Sequence, residues 1–321
     1  MGQTEKRTHS RWFGSGVLLL TAFIWGMAFT AQSASMDYVG PFTMNCARSI
    51  LGGTALLPLI LWNRSRARKR ALSEGENGAG SGESVGRSDM ATLRSTVIGG
   101  ICCGAILALA ASLQQIGIIY TTVGKAGFIT TLYIVFVPLA GIFWRKKVAG
   151  RIWFSVVLAA LGMYLLCMNE SFSVNQGDVY VFLCAVAYTG HILVIDHFSP
   201  KADGVAMSCV QFFTCAFLCG IAMFVRETPT WENILAAAVP ILYAGIMSSG
   251  VGYTLQIIGQ KYTEPTVASL IMSLESVFAV LGGWLLLNEK LSGRELLGCA
   301  VVFVGIILVQ LPEKKRVKLP A

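Results

Sequence analysis

Residues 113–141 have the sequence LQQIGIIYTTVGKAGFITTLYIVFVPLAG, and residues 255–283 have the sequence LQIIGQKYTEPTVASLIMSLESVFAVLGG. The two stretches align without a gap at an offset of 142 residues, and 13 of their 29 positions are identical. Identical pairs include Gln114/Gln256, Gly117/Gly259 and Tyr120/Tyr262. Shared apolar composition alone gives far fewer identities, so the chain contains an internal repeat.

The composition places the repeat in a membrane. Hydrophobic residues make up 55% of the 321-residue chain and charged residues 13%, with a mean hydropathy of +0.65. A soluble domain carries about a quarter charged residues. The net charge of +8 does not indicate nucleic-acid binding, because the basic residues lie in short gaps between apolar runs. All nine cysteines fall in apolar segments and lack metal-ligand spacing, so we expect small apolar helix residues and no disulfide framework.

The apolar runs predict an all-α polytopic membrane protein with ten transmembrane helices. A span needs about 17–25 mainly apolar residues, and the first run is too long for a cleaved signal peptide. The runs are continuous, which excludes the alternating strands of a β-barrel. The predicted spans are 14–34, 41–62, 95–118, 124–144, 150–168, 177–195, 203–225, 234–258, 265–287 and 294–311.

The connectors complete the predicted organisation. Residues 1–13 form an N-terminal segment and residues 312–321 a basic tail. The long connector 63–94 is rich in Arg, Gly, Ser and Glu, and this composition predicts a flexible loop. Segments 14–168 and 177–311 are then the two repeats. Five helices in each repeat is an odd number, so the second repeat enters the membrane from the opposite side. Inverted repeats are a transporter architecture, with the substrate site near the midplane between them.

The basic residues predict the orientation of the spans. With the N-terminus inside, 20 of the 25 Lys and Arg residues fall in cytoplasmic segments and four in outer segments, while Arg48 lies within a span. Lys and Arg accumulate on the cytoplasmic side of membrane proteins. We therefore expect both termini and the connector 63–94 to be cytoplasmic, in a multi-pass protein of the plasma membrane.

Three stretches carry a resemblance to a known family. They are AFIWGMAFTAQ (22–32), the block 113–144, and SLESVFAVLGGWLLLNEKLSGRELLGCAVVFVGIILVQL (273–311). They resemble the drug/metabolite transporter superfamily, specifically two tandem EamA-type domains. The resemblance implies ten helices, cytoplasmic termini and a central cavity lined by helices 1, 3, 4, 6, 8 and 9, and it favours export. The chain departs from the family where Glu275-Ser276 replaces a frequent Glu-Pro pair and where Glu289 faces Lys147.

Two ionisable residues within spans are the first candidates for a site, because charge in a membrane is costly and usually faces a cavity or a partner. Glu275 lies ten residues into its span, about 15 Å deep and near the midplane. Its structural alternative is a protonated carboxyl that bonds between helices. Arg48 lies seven residues into the second span, about 10 Å deep. It pairs with Glu275, holds a substrate carboxylate, or braces helix packing.

Polar and aromatic side chains form a second group of candidates. His191 lies toward the inner end of the sixth span, where a satisfied interhelical bond is its structural alternative. Gln114 and Gln256 occupy matching repeat positions, Tyr133 occupies the repeat position of Glu275, and Trp25 lies in the first-helix motif. An aromatic cavity with a few amides suits a small amphipathic solute. Packing against neighbouring helices is the alternative for the aromatic residues.

These observations predict a secondary transporter that works by alternating access. The expected substrate is a small organic metabolite, either an amino acid or a drug-like solute, and Glu275 is the candidate for proton coupling. No enzyme motif, nucleotide-binding motif or metal-ligand cluster occurs, so we expect neither catalysis nor a cofactor. The alternative is a non-transporting receptor, scaffold or regulatory subunit with the same fold. The sequence leaves open whether the protein forms a homodimer.

The orientation can be tested by cysteine labelling in a cysteine-free background. We expect Gly75→Cys in the basic connector to resist an impermeant thiol reagent added to intact cells. Phe172→Cys, in the connector 169–177 without basic residues, should react and serves as the matched control. Labelling at position 75 from outside would overturn the orientation.

Overall fold

The computed structural model describes residues 3–75, 82–121, 123–143, 148–167, 175–287 and 292–310. Among these residues every regular element is helical and none is a strand. The helices are α1 (Gln3–Ser35), α2 (Pro41–Gly75), α3 (Gly82–Tyr120), α4 (Val123–Thr130), α5 (Tyr133–Phe143), α6 (Gly150–Cys167), α7 (Gln176–Phe198), α8 (Gly204–Arg226), α9 (Trp231–Ala236), α10 (Ala238–Leu242), a π-helical segment (Tyr243–Tyr253), α11 (Thr254–Gln260), α12 (Pro265–Met272), α13 (Leu274–Leu287) and α14 (Gly293–Gln310).

The helices confirm the predicted fold class. Within the described residues, seven helical stretches are long and apolar enough to cross a membrane, and two shorter apolar ones cover 150–165 and 265–281. Many large apolar side chains on these helices are exposed, such as Phe143 and Phe217. Exposed apolar faces on long helices suit contact with lipid. The count of ten spans stays a prediction.

The connector 63–94 is the main departure from the prediction. A flexible loop was expected, but α2 continues to Gly75 and α3 begins at Gly82, so both ends of the connector are helical. Residues 64–74 are dominated by Arg, Lys, Ala, Leu and Glu, which favour helix. A helix that is already nucleated in the membrane extends at little cost, and this explains why a polar composition did not end it.

The fourth and ninth predicted spans are each broken at the same repeat position. The break between α4 and α5 lies at Thr131, and the break between α12 and α13 lies at Ser273, which is 142 residues later. The Thr131 hydroxyl donates to the carbonyl of Gly127 at 3.0 Å, and the Ser273 hydroxyl donates to the carbonyl of Leu270 at 2.7 Å. Hydroxyls that bond back to the preceding turn bend helices. The repeat therefore builds one bend in each half.

The eighth predicted span contains the π-helical segment and packs closely on α1. The indole N–H of Trp25 donates to the carbonyl of Ser248 at 3.3 Å, and the Thr21 hydroxyl donates to the carbonyl of Gly252 at 3.4 Å. π-helical turns are rare and often lie at functional sites. The two side chains of α1 bond to carbonyls of this segment and fix α1 against it.

The first two helices of each half also correspond to each other, but at a different sequence offset from the later helices. Residues of α1 and α2 correspond to residues of α7 and α8 at an offset of 163, which pairs Trp25 with Tyr188 and Arg48 with Gln211. The offset differs from 142 because the connector between α2 and α3 is longer than its counterpart in the second half. The pairing shows that the internal repeat covers both halves from their first helix onward.

Repeat-related glycines bring the halves into close contact at opposite ends of the bundle. A Cβ on Gly177 would lie 2.7 Å from the carbonyl oxygen of Gly117, and a Cβ on Gly14 would lie 3.0 Å from that of Gly259. We call the end with Gly177, where α2 begins and α8 ends, the outer end. The inner end, with Gly14, is where α8 and α12 begin. These names follow the predicted orientation. The same small-residue contact thus occurs once at each end.

Gly177→Ala is expected to lower the apparent Tm of the purified protein. The added methyl meets backbone atoms of α3, including the Tyr120 carbonyl carbon at 2.9 Å, and such overpacking costs about 1–3 kcal/mol. Gly16→Ala is the control, because its Cβ would meet nothing within 4 Å and alanine favours helix. Equal melting temperatures for the two variants would contradict the close contact.

Candidate functional site: a cavity between the two halves

A polar cavity lies where the halves meet in the middle of the bundle. Five of the seven predicted site residues line it, namely Trp25, Arg48, Gln114, Tyr133 and Glu275. The rest of its lining is Phe29, Gln32, Thr130, Tyr188, Ser248 and Tyr253. Its volume of about 30 Å³ suffices only for water-sized groups. In this conformation the site is therefore nearly closed around its own side chains.

Glu275 bonds to its own repeat counterpart. The Tyr133 hydroxyl donates to Oε1 of Glu275 at 3.1 Å, and both side chains are at least 96% buried. Glu275 lies in the first turn of α13, just after the helix break at Ser273. The free N–H groups and dipole of a helix start favour a carboxylate. The break and the tyrosine together explain how a buried carboxyl is accommodated there.

Arg48 faces the same cavity but bonds elsewhere. Its Nη1 donates to Oε1 of Gln32 at 3.1 Å, and the residue is only 4% exposed. Gln32 is held in turn, because Nε2 of Gln115 donates to its backbone carbonyl at 3.2 Å. In the part of the chain that the structure describes, no ion pair joins Arg48 to Glu275. The first of the three roles predicted for Arg48, pairing with Glu275, is therefore absent from this conformation. A guanidinium has five N–H donors, and among the described residues Gln32 is the one hydrogen-bond acceptor of Arg48.

Aromatic side chains form one wall of the cavity. The rings of Trp25 and Tyr253 lie 4.6 Å apart, and the hydroxyls of Tyr188 and Tyr253 lie 3.1 Å apart within hydrogen-bonding distance. Trp25 and Tyr188 are repeat counterparts, so each half contributes one ring from its first helix. An aromatic wall opposite a cation and a carboxyl gives the cavity both apolar and charged contacts for a solute.

His191 and Gln256 lie outside the cavity lining. His191 is fully buried, and its Nε2 lies 2.9 Å from Oε1 of Gln211, the repeat counterpart of Arg48. Its ring contacts that of Tyr253 at 5.9 Å, one layer behind the aromatic wall. This bond between α7 and α8 is the structural role that the sequence offered for His191 as the alternative to a role in the site. Gln256 is buried on α11, whereas its counterpart Gln114 lines the cavity and donates to the Thr130 hydroxyl at 3.3 Å.

The structure adds residues that the sequence did not single out. Gln32 positions Arg48, and Tyr188 and Tyr253 complete the aromatic wall. The offset of 163 would have pointed to Tyr188 as the counterpart of Trp25. Glu289 and Lys147, the second departure from the family pattern, lie outside the described residues.

A second, larger cavity opens toward the inner end. Its volume is about 880 Å³, within the range of small-molecule sites. Its walls are mainly aliphatic, and its polar side chains are Asp196, His197, Glu264 and Thr266. It reaches Val137 on α5, one helical turn beyond Tyr133. The larger cavity therefore leads from the inner end toward the central one.

A helical membrane bundle with an inverted repeat and a polar cavity between its halves defines the class of membrane transporters. The chain belongs to the EamA-like transporter family, whose model matches residues 12–168 and 175–311. This family is part of the drug/metabolite transporter superfamily, as the sequence motifs predicted.

Individual relatives agree with this assignment. The chain is 26% identical over 301 residues to an uncharacterized transporter of Archaeoglobus fulgidus, covering 92% of this chain and 84% of that one. It is 24% identical to UDP-xylose transporter 2 of Arabidopsis thaliana, covering 60% and 59% of the two chains. A solved crystal structure matches with a TM-score of 0.67 at 15% identity, over 92% of this chain and 96% of the other, which supports the fold.

Proposed function

We propose that the protein is a secondary transporter that moves a small organic solute with an anionic group by alternating access. The observation that carries the proposal is the central cavity, where Arg48 of one half and Glu275 of the other face a common space. A buried cation without a bonded carboxylate favours an anionic ligand, because an isolated charge in a membrane is costly. A scaffold or receptor needs neither the buried charges nor two inverted halves.

The lining supports a substrate such as an amino acid or a drug-like carboxylated solute. The Arg48 guanidinium offers donors to a carboxylate, and the rings of Trp25 and Tyr253 offer an apolar face. Gln32 and Gln114 add amide groups that fix orientation. Nearly full closure of the cavity suits an occluded or resting state, in which a solute enters only after the side chains or the halves move apart.

The two cavities support the alternating cycle and its direction. The larger cavity opens at the inner end and stops one turn short of Tyr133. This arrangement suits a carrier that receives its solute from the cytoplasm, as an exporter does. Glu275 couples the cycle to protons if its carboxyl gains a proton in one access state and releases it in the other.

Arg48→Gln is expected to weaken binding of carboxylated solutes by about ten- to a hundredfold, the loss of a charge-assisted hydrogen bond. Glutamine is the residue that stands at the repeat-related position 211, so the helix pair should accommodate it. The measurement is a thermal-shift screen of purified protein against amino acids, each paired with its neutral amide.

The amide analogues and the melting temperature separate binding from packing. If Arg48 holds the carboxylate, the acids stabilise the wild-type protein more than the amides do, and the variant loses that difference while keeping its own Tm. A variant that is stable and retains wild-type affinity for the acids would remove Arg48 from the site.

Glu275→Gln is expected to abolish gradient-driven accumulation while preserving exchange. Glutamine keeps the size of the side chain and still accepts the Tyr133 hydrogen bond, but it carries no proton between states. The measurement is uptake of the best-stabilising radiolabelled solute into proteoliposomes, with and without a pH gradient.

Counterflow in the same vesicles is the internal control for Glu275→Gln, because it needs only the alternating movement. Retained counterflow together with lost gradient response assigns the coupling to Glu275. If the variant concentrates the solute as well as wild type does under a gradient, the carboxyl is structural and the proton proposal is wrong.

A further inference from the structure

The two helices α2 and α8 are repeat counterparts, and each begins with backbone N–H groups bonded to a carboxylate. In α8 the carboxylate belongs to the residue just before the helix. Oδ1 of Asp203 accepts from the N–H groups of Val205 and Ala206, both at 3.0 Å. This is an ordinary N-cap. Because Asp203 moves with α8, its cap persists in any arrangement of the two halves.

At the start of α2 the carboxylate comes from the other half. Glu227, in the connector after α8, accepts from the N–H groups of Phe42 and Thr43 at 2.8 Å each and from the Thr43 hydroxyl at 2.6 Å. The two N–H donors correspond at the two helix starts, because residues 42 and 43 are the counterparts of 205 and 206. The source of the carboxylate differs, and the Thr43 hydroxyl adds a bond that Ala206 cannot make.

Gly40 explains this difference. It stands at the repeat position of Asp203 and has no side chain with which to cap α2. A Cβ on Gly40 would collide with the carboxylate of Glu227. The glycine therefore both lacks a cap of its own and leaves the space that the glutamate of the other half fills.

We propose that Glu227 is a latch that ties the two halves together at the outer end and must let go of α2 before that end opens. The inference rests on the alternating-access function proposed above. Movement that separates the halves at the outer end breaks three hydrogen bonds to an ionisable group, whereas the corresponding cap at the inner end breaks none. The latch therefore favours the conformation that is closed outside and has its large cavity at the inner end.

A second contact at the same end reports whether the latch holds. The Thr121 hydroxyl at the end of α3 donates to Oδ1 of Asp178 at the start of α7, at 2.6 Å. These two helix ends meet through Gly117 and Gly177. The bonds described for Glu227 join it to α2 and not to these two helix ends. Faster backbone exchange in segments 117–121 and 176–181 therefore signals opening of the outer end and not local fraying of α2.

Hydrogen–deuterium exchange on the full-length protein in nanodiscs, without solute, tests the latch. Glu227→Ala is expected to accelerate exchange about fivefold at residues 42–44, the effect of losing a helix cap, and to accelerate it also in 117–121 and 176–181. Asp203→Ala is the matched control. It should accelerate exchange at residues 205–207 and leave both outer segments unchanged.

The double variant Gly40→Asp/Glu227→Ala separates latching from capping. Its new aspartate caps α2 from the same half, as Asp203 caps α8, so exchange at residues 42–44 should return toward the wild-type rate. The two outer segments should stay fast, because the halves are no longer tied. Recovery of all three segments, or a Glu227→Ala variant in which 117–121 and 176–181 never change, would show that Glu227 is only a cap and overturn the latch. These rates involve no solute, so they stand apart from the Arg48 binding results.

Discussion

The hydrogen bond between Tyr133 and Glu275 is the constraint around which the middle of the bundle is arranged. A carboxyl deep in a membrane protein needs donors, since unpaired polar groups there cost several kcal/mol. Its donor comes from the opposite half, at the same repeat position, so the two halves must meet there. Both residues directly follow a break in their helix, and the break at Ser273 adds the free N–H groups of a helix start. Closure of the cavity, the bends and the contact between halves thus depend on one another.

Inversion places one sequence pattern at both ends of the bundle. The glycine contact between α3 and α7 at the outer end recurs between α11 and α1 at the inner end. Because the repeats run in opposite directions across the membrane, a contact that both of them encode occurs once on each side. Small residues suit such contacts, since they let the backbones of two helices approach closely.

The sequence was sufficient for the fold class and for most of the central cavity, but not for how its groups pair. Glu275, Arg48 and Tyr133 were predicted from burial cost and from the offset of 142, and all three line one cavity. The partner of Arg48 was not predictable, because it depends on the rotation of α1 and α2 about their axes, which brings Gln32 within 3.1 Å. The helical ends of the connector 63–94 do not follow from its composition, because composition reports solvation, whereas helix continuation depends on the preceding span. The longer connector also shifts the repeat offset from 142 to 163, so the match at 142 does not extend to α1 and α2.

Departures from the repeat mark the positions where the two halves have different tasks. Some buried packing positions are the same in both halves, as with Met44 and Met207 or Cys46 and Cys209. Among the counterparts that differ in charge are Tyr133 against Glu275, Gln211 against Arg48, and Gly40 against Asp203. Duplicating Glu275 or Arg48 would place two like charges in one small buried space, where repulsion adds to desolvation. A single copy avoids this and gives the cavity a polarity that a symmetric pair cannot have. In the proposed transport cycle, the inverted repeat is the frame that moves, and the unmatched charges set its preferred conformation and the solute that it binds.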